Sequence, residues 1–253
     1  MKTILVIAGL DPSAGAGFLA DARVAAEHGV RAVGVVTATT VQDTGGVRSA
    51  TPLAPDEVEE ALAVLLSDVE VDAVKIGMLG DVRTAEACAR ALAATRAPVV
   101  WDPVLMPSRG GVPLLLGDPA RAARALLPEA RLVTPNLAEA EALTGLRVAD
   151  EPGMRAAASA IGAPAVLVKG GHLAGALAVD ILRDGDVYTR FEAPRVDAGP
   201  VHGTGCVLST AIACRLALGK TAPLEEAVAQ AKTYLSQKLA TAITVGRGAR
   251  CLV

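Results

Sequence analysis

Six short runs dense in valine, isoleucine and leucine recur along this chain, and longer alanine-rich stretches separate them: TILVIAG, RAVGVVT, DAVKIG, APVVWD, ARLVTPN and PAVLVKGG. Runs of this length without polar alternation suit strands covered on both faces, and such strands pair in parallel through helical crossovers. The segments between them, GFLADARVAAEHG, PDEVEEALAVLLSD, DVRTAEACARALAAT, DPARAARALL and NLAEAEALTG, carry an early Pro or Asp and a closing Gly, which are helix start and stop signals. The alternation predicts an α/β fold with a doubly wound, mainly parallel sheet. Around residues 177–192 the pattern changes. ALAVDIL and VYTRFEA flank an Asp-Gly turn, which predicts an antiparallel hairpin at one edge of the sheet. Two closing helices are expected over 203–219 and 223–242. With no linker, repeat or low-complexity tract between them, residues 1–253 read as one domain.

Composition removes several function classes. A net charge of −3 with scattered signs offers no basic stripe, and 2% aromatics leave few stacking platforms, so nucleic acid is not an expected partner. The opening MKTILVIAGLDPS has one lysine and no small-residue cleavage site, and it reads as a first strand rather than a signal peptide. No apolar run reaches the roughly 18 residues of a membrane span. A cytoplasmic protein without a membrane partner is the expectation. Cysteines at 88, 206, 214 and 251 form no CxxC pair, and the three histidines do not stand at zinc-ligand spacing, so neither a metal cluster nor a disulfide framework is expected.

In open α/β sheets ligands collect at the carboxyl ends of the strands. The glycine-rich and polar segments of this chain fall there: AGLDPSAGAG, TTVQDTGG, KIGML, WDPVLMPSRGG, TPNLAE and VKGGH. GAGFLA, residues 15–20, matches the dinucleotide fingerprint formally, but Gly15 stands six residues after Gly9 and RAVGVVTATT ends without the acid that holds a ribose. GKT at 219–221 ends a helix where a phosphate loop would begin one, so it reads as a helix C-cap. HGTGC, residues 202–206, is the better anion site. A helix N-terminus leaves backbone N–H groups unpaired and carries roughly half a positive charge, and Gly203 and Gly205 remove side chains that would block a phosphoryl group. The same helix start is expected to lower the thiol pKa of Cys206.

Eight segments, IAGLDPSAGAG, LADAR, VVTATTVQDTGGV, KIGMLG, VVWDPVL, LVTPNLAEAEAL, VLVKGGH and HGTGCVLSTAIA, run in order as in one known group. Over nearly its whole length the sequence resembles the hydroxymethylpyrimidine/phosphomethylpyrimidine kinases of thiamine biosynthesis, a branch of the ribokinase-like small-molecule kinases. The resemblance implies a ribokinase-like three-layer sandwich, a homodimer, ATP as donor with Mg2+, and an aminopyrimidine acceptor bearing a hydroxymethyl or its phosphate. It implies that Gln42 reads the pyrimidine, whose ring nitrogen and exocyclic amine match an amide that donates and accepts. Gly9, Ala16, Asp21, Met78 and Leu105 would line the same pocket. Asp102 and Glu139 would hold magnesium, Asn136, Lys169 and Gly170 would face the nucleotide, and Gly203, Thr204 and Gly205 would cradle the transferring group. Cys206 would be the base, at the position where the wider group usually has aspartate. Pyridoxal kinase is the alternative within the group, and a pyrimidine-binding sensor without catalysis is the alternative outside it. Three departures bear on the substrate flap and the adenine edge. MPSRGGVPLL replaces a Lys-Ser-Gly-Asp run, no Asn-Thr precedes HGTGC, and the tail VGRGARCLV is short.

Overall fold

The computed structural model describes residues 1–253 apart from Ser108, Gly110, His172, Ala174, Asp197 and Lys220. Four positions within the motifs above, namely Ser108, Gly110, His172 and Lys220, therefore lie outside the described residues. The strands are β1 (Thr3–Leu10), β2 (Arg31–Asp43), β3 (Gly46–Pro52), β4 (Ala73–Ile76), β5 (Gly80–Asp81), β6 (Val99–Trp101), β7 (Leu115–Leu116), β8 (Ala130–Val133), β9 (Ala165–Gly170), β10 (Leu177–Asp184), β11 (Val187–Pro194), β12 (Val201–His202) and β13 (Arg250–Cys251). The helices are α1 (Gly17–Glu27), α2 (Pro55–Asp68), α3 (Val82–Leu92), α4 (Pro119–Leu126), α5 (Leu137–Thr144), α6 (Glu151–Ala160), α7 (Thr204–Leu218) and α8 (Leu224–Ala240).

Alternation along β1 sets the layers. Ile4, Val6 and Ala8 pack into one buried cluster with α1, α7 and α8, while Leu5 and Ile7 join the other cluster with α2 through α6. The central sheet runs β11-β10-β9-β8-β6-β4-β1-β2-β3. Its six inner strands are parallel, as the continuous apolar runs predict, and the β10–β11 hairpin closes one edge antiparallel. This is the ribokinase-like three-layer architecture. Two further pairs are small parallel ribbons, β5 with β7 and β12 with β13, and the second fastens the chain end beside the HGTGC turn.

Two elements depart from the sequence expectation. β2 runs on to Asp43, and β3 returns beside it as a second antiparallel edge. Its sequence, GVRSATP, buries only Val47 and carries no apolar run, so the periodicity that marks inner strands is missing. Helix α6 was likewise not marked by pattern. EPGMRAAASA has Gly at the third position after the cap, and what starts it is local: Asp150 accepts from the Gly153 N–H at 2.8 Å, with Pro in the first turn.

Candidate active site

The carboxyl ends of β1, β2, β4, β6, β8 and β9 border a cleft of about 560 Å³, and most of the motif residues meet there. Gly9, Ala16, Gln42, Met78, Asp102, Asn136, Glu139, Lys169 and the turn Gly203 to Cys206 all line it. A second depression of about 630 Å³ lies at the opposite ends of the strands, between Pro98, Arg131 and Leu224, and it gathers none of these motifs.

Helix α7 builds one wall. It is apolar on nearly every side, with Val207 through Cys214 all buried, so its first turn is held rigidly against the sheet. Gly203 caps it at φ 84°, and a Cβ there would lie 1.9 Å from the Gly15 carbonyl oxygen, so only glycine lets these two loops cross. Gly205 is also constrained. Its missing side chain gives Lys169 Nζ and Asp102 Oδ2 room at 3.1 and 3.4 Å from where a Cβ would stand.

Those two groups form the polar floor beneath the turn. Lys169 Nζ donates to Asp102 Oδ1 at 2.6 Å, Thr134 Oγ1 donates to the same oxygen at 3.1 Å, and Ser209 Oγ donates to Asp102 Oδ2 at 3.3 Å. Burial works against the Lys169 ammonium, yet Asp102 and Glu139 together raise its pKa. Asn136 and Glu139 form a reciprocal capping box on α5, in which Asn136 Oδ1 accepts from the Glu139 N–H and Glu139 Oε2 accepts from the Asn136 N–H. Burial pushes the Glu139 carboxyl up to about 7, and the nearby Asp102 adds to this against the pull of Lys169.

At the other end of the cleft a polar chain fixes Gln42. The Gln42 amide nitrogen stands 2.8 Å from His202 Nε2, and the same ring nitrogen stands 2.9 Å from Asp11 Oδ2. The ring nitrogen donates to Asp11 when it carries the proton and accepts the Gln42 N–H when it does not. Asp11 is itself held by the Ser13 and Ala16 N–H groups and by Ser13 Oγ. Burial opposes its ionisation, but the bonds from His202 and Ser13 prevail and keep the carboxyl below its ordinary range. Asp11 and His202 carried no role in the sequence reading, although both sit inside quoted motifs; their pairing joins residues 191 positions apart, which spacing cannot reveal.

Three expected residues stand elsewhere. Asp21 does not line the cleft: it is completely buried, receiving Lys75 Nζ at 2.6 Å and Thr210 Oγ1 at 2.7 Å beneath α7. Leu105 packs against the core on the α2–α6 side, and Gly170 turns its N–H to Asp180 Oδ1 at 2.9 Å; neither borders the cleft. The expectation of a lowered thiol at Cys206 is also corrected. Part of the residue reaches the cleft, but its surroundings are dense, and burial pushes the thiol up to about 11 despite Lys75 and a hydrogen bond from the Gly17 N–H. Burial works against the Lys75 ammonium, yet Asp21, Cys206 and Asp102 around it hold it well above the ordinary lysine range.

Comparison with known proteins places this geometry. The family model described as phosphomethylpyrimidine kinase matches residues 11–252. The hydroxymethylpyrimidine/phosphomethylpyrimidine kinase of Streptomyces coelicolor is 41% identical over 249 residues, spanning 97% of this chain and 91% of that protein. Among solved structures, pyridoxal kinase from Staphylococcus aureus in complex with AMP-PCP and pyridoxal superposes with a TM-score of 0.88 at 30% identity, covering 99% of this chain and 92% of that one. Phosphomethylpyrimidine kinase from Clostridium difficile superposes with a TM-score of 0.78 at 33% identity, over 94% and 99% of the two chains. Among the described residues no helix is long and apolar enough to cross a membrane.

Proposed function

The chain belongs to the phosphomethylpyrimidine kinase family, and on that premise we propose that it phosphorylates 4-amino-5-hydroxymethyl-2-methylpyrimidine and then the resulting monophosphate, with ATP and Mg2+. The observation that carries the reading is the sharing of one cleft by the Gln42 amide at one end and the α7 turn with Cys206 at the other. Gln42, steadied by His202 and Asp11, orients the ring through its donor and acceptor pair. The unpaired amides at the start of α7 meet the charge on the transferring phosphoryl group. Cys206 accepts the proton of the substrate hydroxyl as the oxygen attacks the γ-phosphorus, and Lys75 and the Gly17 N–H favour the thiolate against burial.

The cation fits the donor set. Asp102 and Glu139 supply two carboxylates on one wall, and burial together with Asp102 disfavours the ionised Glu139, which a cation between them would favour. With Asn136 beside them they would hold a magnesium ion that keeps part of its water shell, and that ion would neutralise charge on the nucleotide phosphates. The structures of neighbours in complex with ADP and AMP-PCP support ATP as the donor. The reading has the 253 residues act as one domain, in the cytoplasm and as a homodimer, following the family resemblance.

A second reading, pyridoxal phosphorylation, is favoured by the TM-score of 0.88 to a pyridoxal-bound kinase. Measuring ADP release with the pyrimidine alcohol, its monophosphate and pyridoxal side by side tests both. Turnover of both pyrimidines with a kcat/KM well above that for pyridoxal is expected. Preference for pyridoxal would install the second reading, and binding of the alcohol without turnover would make the protein a sensor.

A further inference from the structure

The cleft holds several cations, and among the described residues nearly all are committed. Lys169 binds Asp102, Lys232 binds Asp180, and His202 faces Asp11. Arg195 spends its guanidinium on the carbonyl oxygens of Gly171, Leu173 and Gly175. Arg109 differs: it lines the cleft and is exposed, and its guanidinium has no partner among the described residues.

The backbone fixes where the Arg109 side chain leaves the main chain. The Arg109 carbonyl oxygen accepts from the Val47 N–H at 3.4 Å, and Val47 is the residue directly opposite Gln42 in the β2–β3 ladder. Gly46 permits this approach, since a Cβ there would lie 3.1 Å from the Arg109 oxygen. The Arg109 backbone is thus moored across from Gln42, and its exposed side chain lines the same cleft as the α7 turn.

We propose that Arg109 selects the phosphorylated acceptor over the neutral alcohol by taking its phosphate monoester in a charged, two-pronged hydrogen bond. The inference rests on the two-step reading above. A hydroxymethyl acceptor brings no charge into the cleft, whereas its monophosphate brings between one and two negative charges at neutral pH. The cleft already contains Asp11, Asp102, Glu139 and Asp180, so the second acceptor needs a cation that the first does not. A guanidinium fork matches a phosphate better than a point charge does. In that second transfer a monophosphate oxygen forms the new bond to the γ-phosphorus, the bond from γ-phosphorus to the bridging oxygen breaks, and ADP leaves. No hydroxyl proton has to be removed.

The test measures kcat/KM with the alcohol and the monophosphate as separate acceptors in wild type, Arg109→Gln and Arg109→Lys, together with calorimetric titration of the monophosphate without nucleotide. Arg109→Gln is expected to lose about 10- to 100-fold on the monophosphate, chiefly in KM, and no more than about threefold on the alcohol. Monophosphate affinity in the titration falls by a similar factor, and Arg109→Lys regains part of both losses. Equal losses on the two acceptors, or an unchanged monophosphate affinity, would overturn the assignment. A wild-type chain that phosphorylates neither acceptor overturns the proposed function instead, and the titration still decides the role of Arg109.

Discussion

If Cys206 is the base, its burial has a measurable consequence in the pH dependence of the first transfer. With a thiol titrating at about 11, only about one molecule in 10⁴ carries the thiolate at pH 7, and that fraction rises tenfold with each pH unit. The kcat/KM for the alcohol should therefore climb about 100-fold between pH 7 and pH 9. The monophosphate behaves differently, because its second ionisation lies near ~6 and leaves an acceptor oxygen that needs no base. Its kcat/KM should stay flat over the same interval. Cys206→Ala should remove the alkaline climb and lower alcohol turnover by ~10²–10⁴-fold with modest change in KM, while costing the monophosphate less than about tenfold. Cys206→Asp should recover part of the alcohol activity and shift the profile toward acid. Alkylation of Cys206 followed against pH gives the thiol pKa independently of turnover. A flat alcohol profile from pH 7 to 9, or equal losses on both acceptors in Cys206→Ala, would show that the amide turn works without this base.

Other expectations follow from neighbouring groups. Gln42→Leu should weaken use of the pyrimidine by ~1–3 kcal/mol, since ring polar groups are left unpaired, and should affect pyridoxal less; an unchanged kcat/KM for the pyrimidine would remove Gln42 from recognition. Lys75→Met leaves the Asp21 carboxyl buried without its cation, so urea unfolding should show a loss of ~3–5 kcal/mol, and stability equal to wild type would refute the buried pair. Glu139 titrates at about 7 in the folded chain against 4.5 ordinarily, so its ionisation does not oppose folding below pH 4.5 and opposes it fully above pH 7, by about 3 kcal/mol. Glu139→Gln keeps an acceptor for the Asn136 N–H and should be more stable than wild type at pH 8 without magnesium, less so at pH 5, while needing more magnesium for turnover. Parallel stability of the two proteins across that range would contradict the raised carboxyl.

Legibility from sequence followed the periodic residues. β1, β4, β6, β8 and β9 were visible because both faces of each are buried, which leaves uninterrupted apolar runs such as VIAG and VLVK. The β10–β11 hairpin was visible through its Asp-Gly turn. β3 was not, because an edge strand paired on one side and open to solvent has no need of apolar residues; its only local sign is the Thr-Gly-Gly bend before it. Helix α6 carries its signal in the cap rather than in a stripe, and cap residues are also ordinary loop residues.

In the site, sequence located the loops but not the direction of every side chain within them. Asp21 shows why. On α1 it sits on the face toward α7, where Thr210 and Lys75 take both carboxylate oxygens, so a residue about one turn from a cleft loop ends beneath the cleft rather than in it. The same burial reverses the expectation for Cys206. A helix start contributes a fixed and modest preference for negative charge, whereas closing the sulfur in among Asp21 and Asp102 removes water that would solvate a thiolate. Desolvation wins, and Lys75 limits its size. The arrangement keeps most of the sulfur protonated at neutral pH, so only the small thiolate fraction can take the hydroxyl proton, and the pH profile of the alcohol is where that role becomes visible.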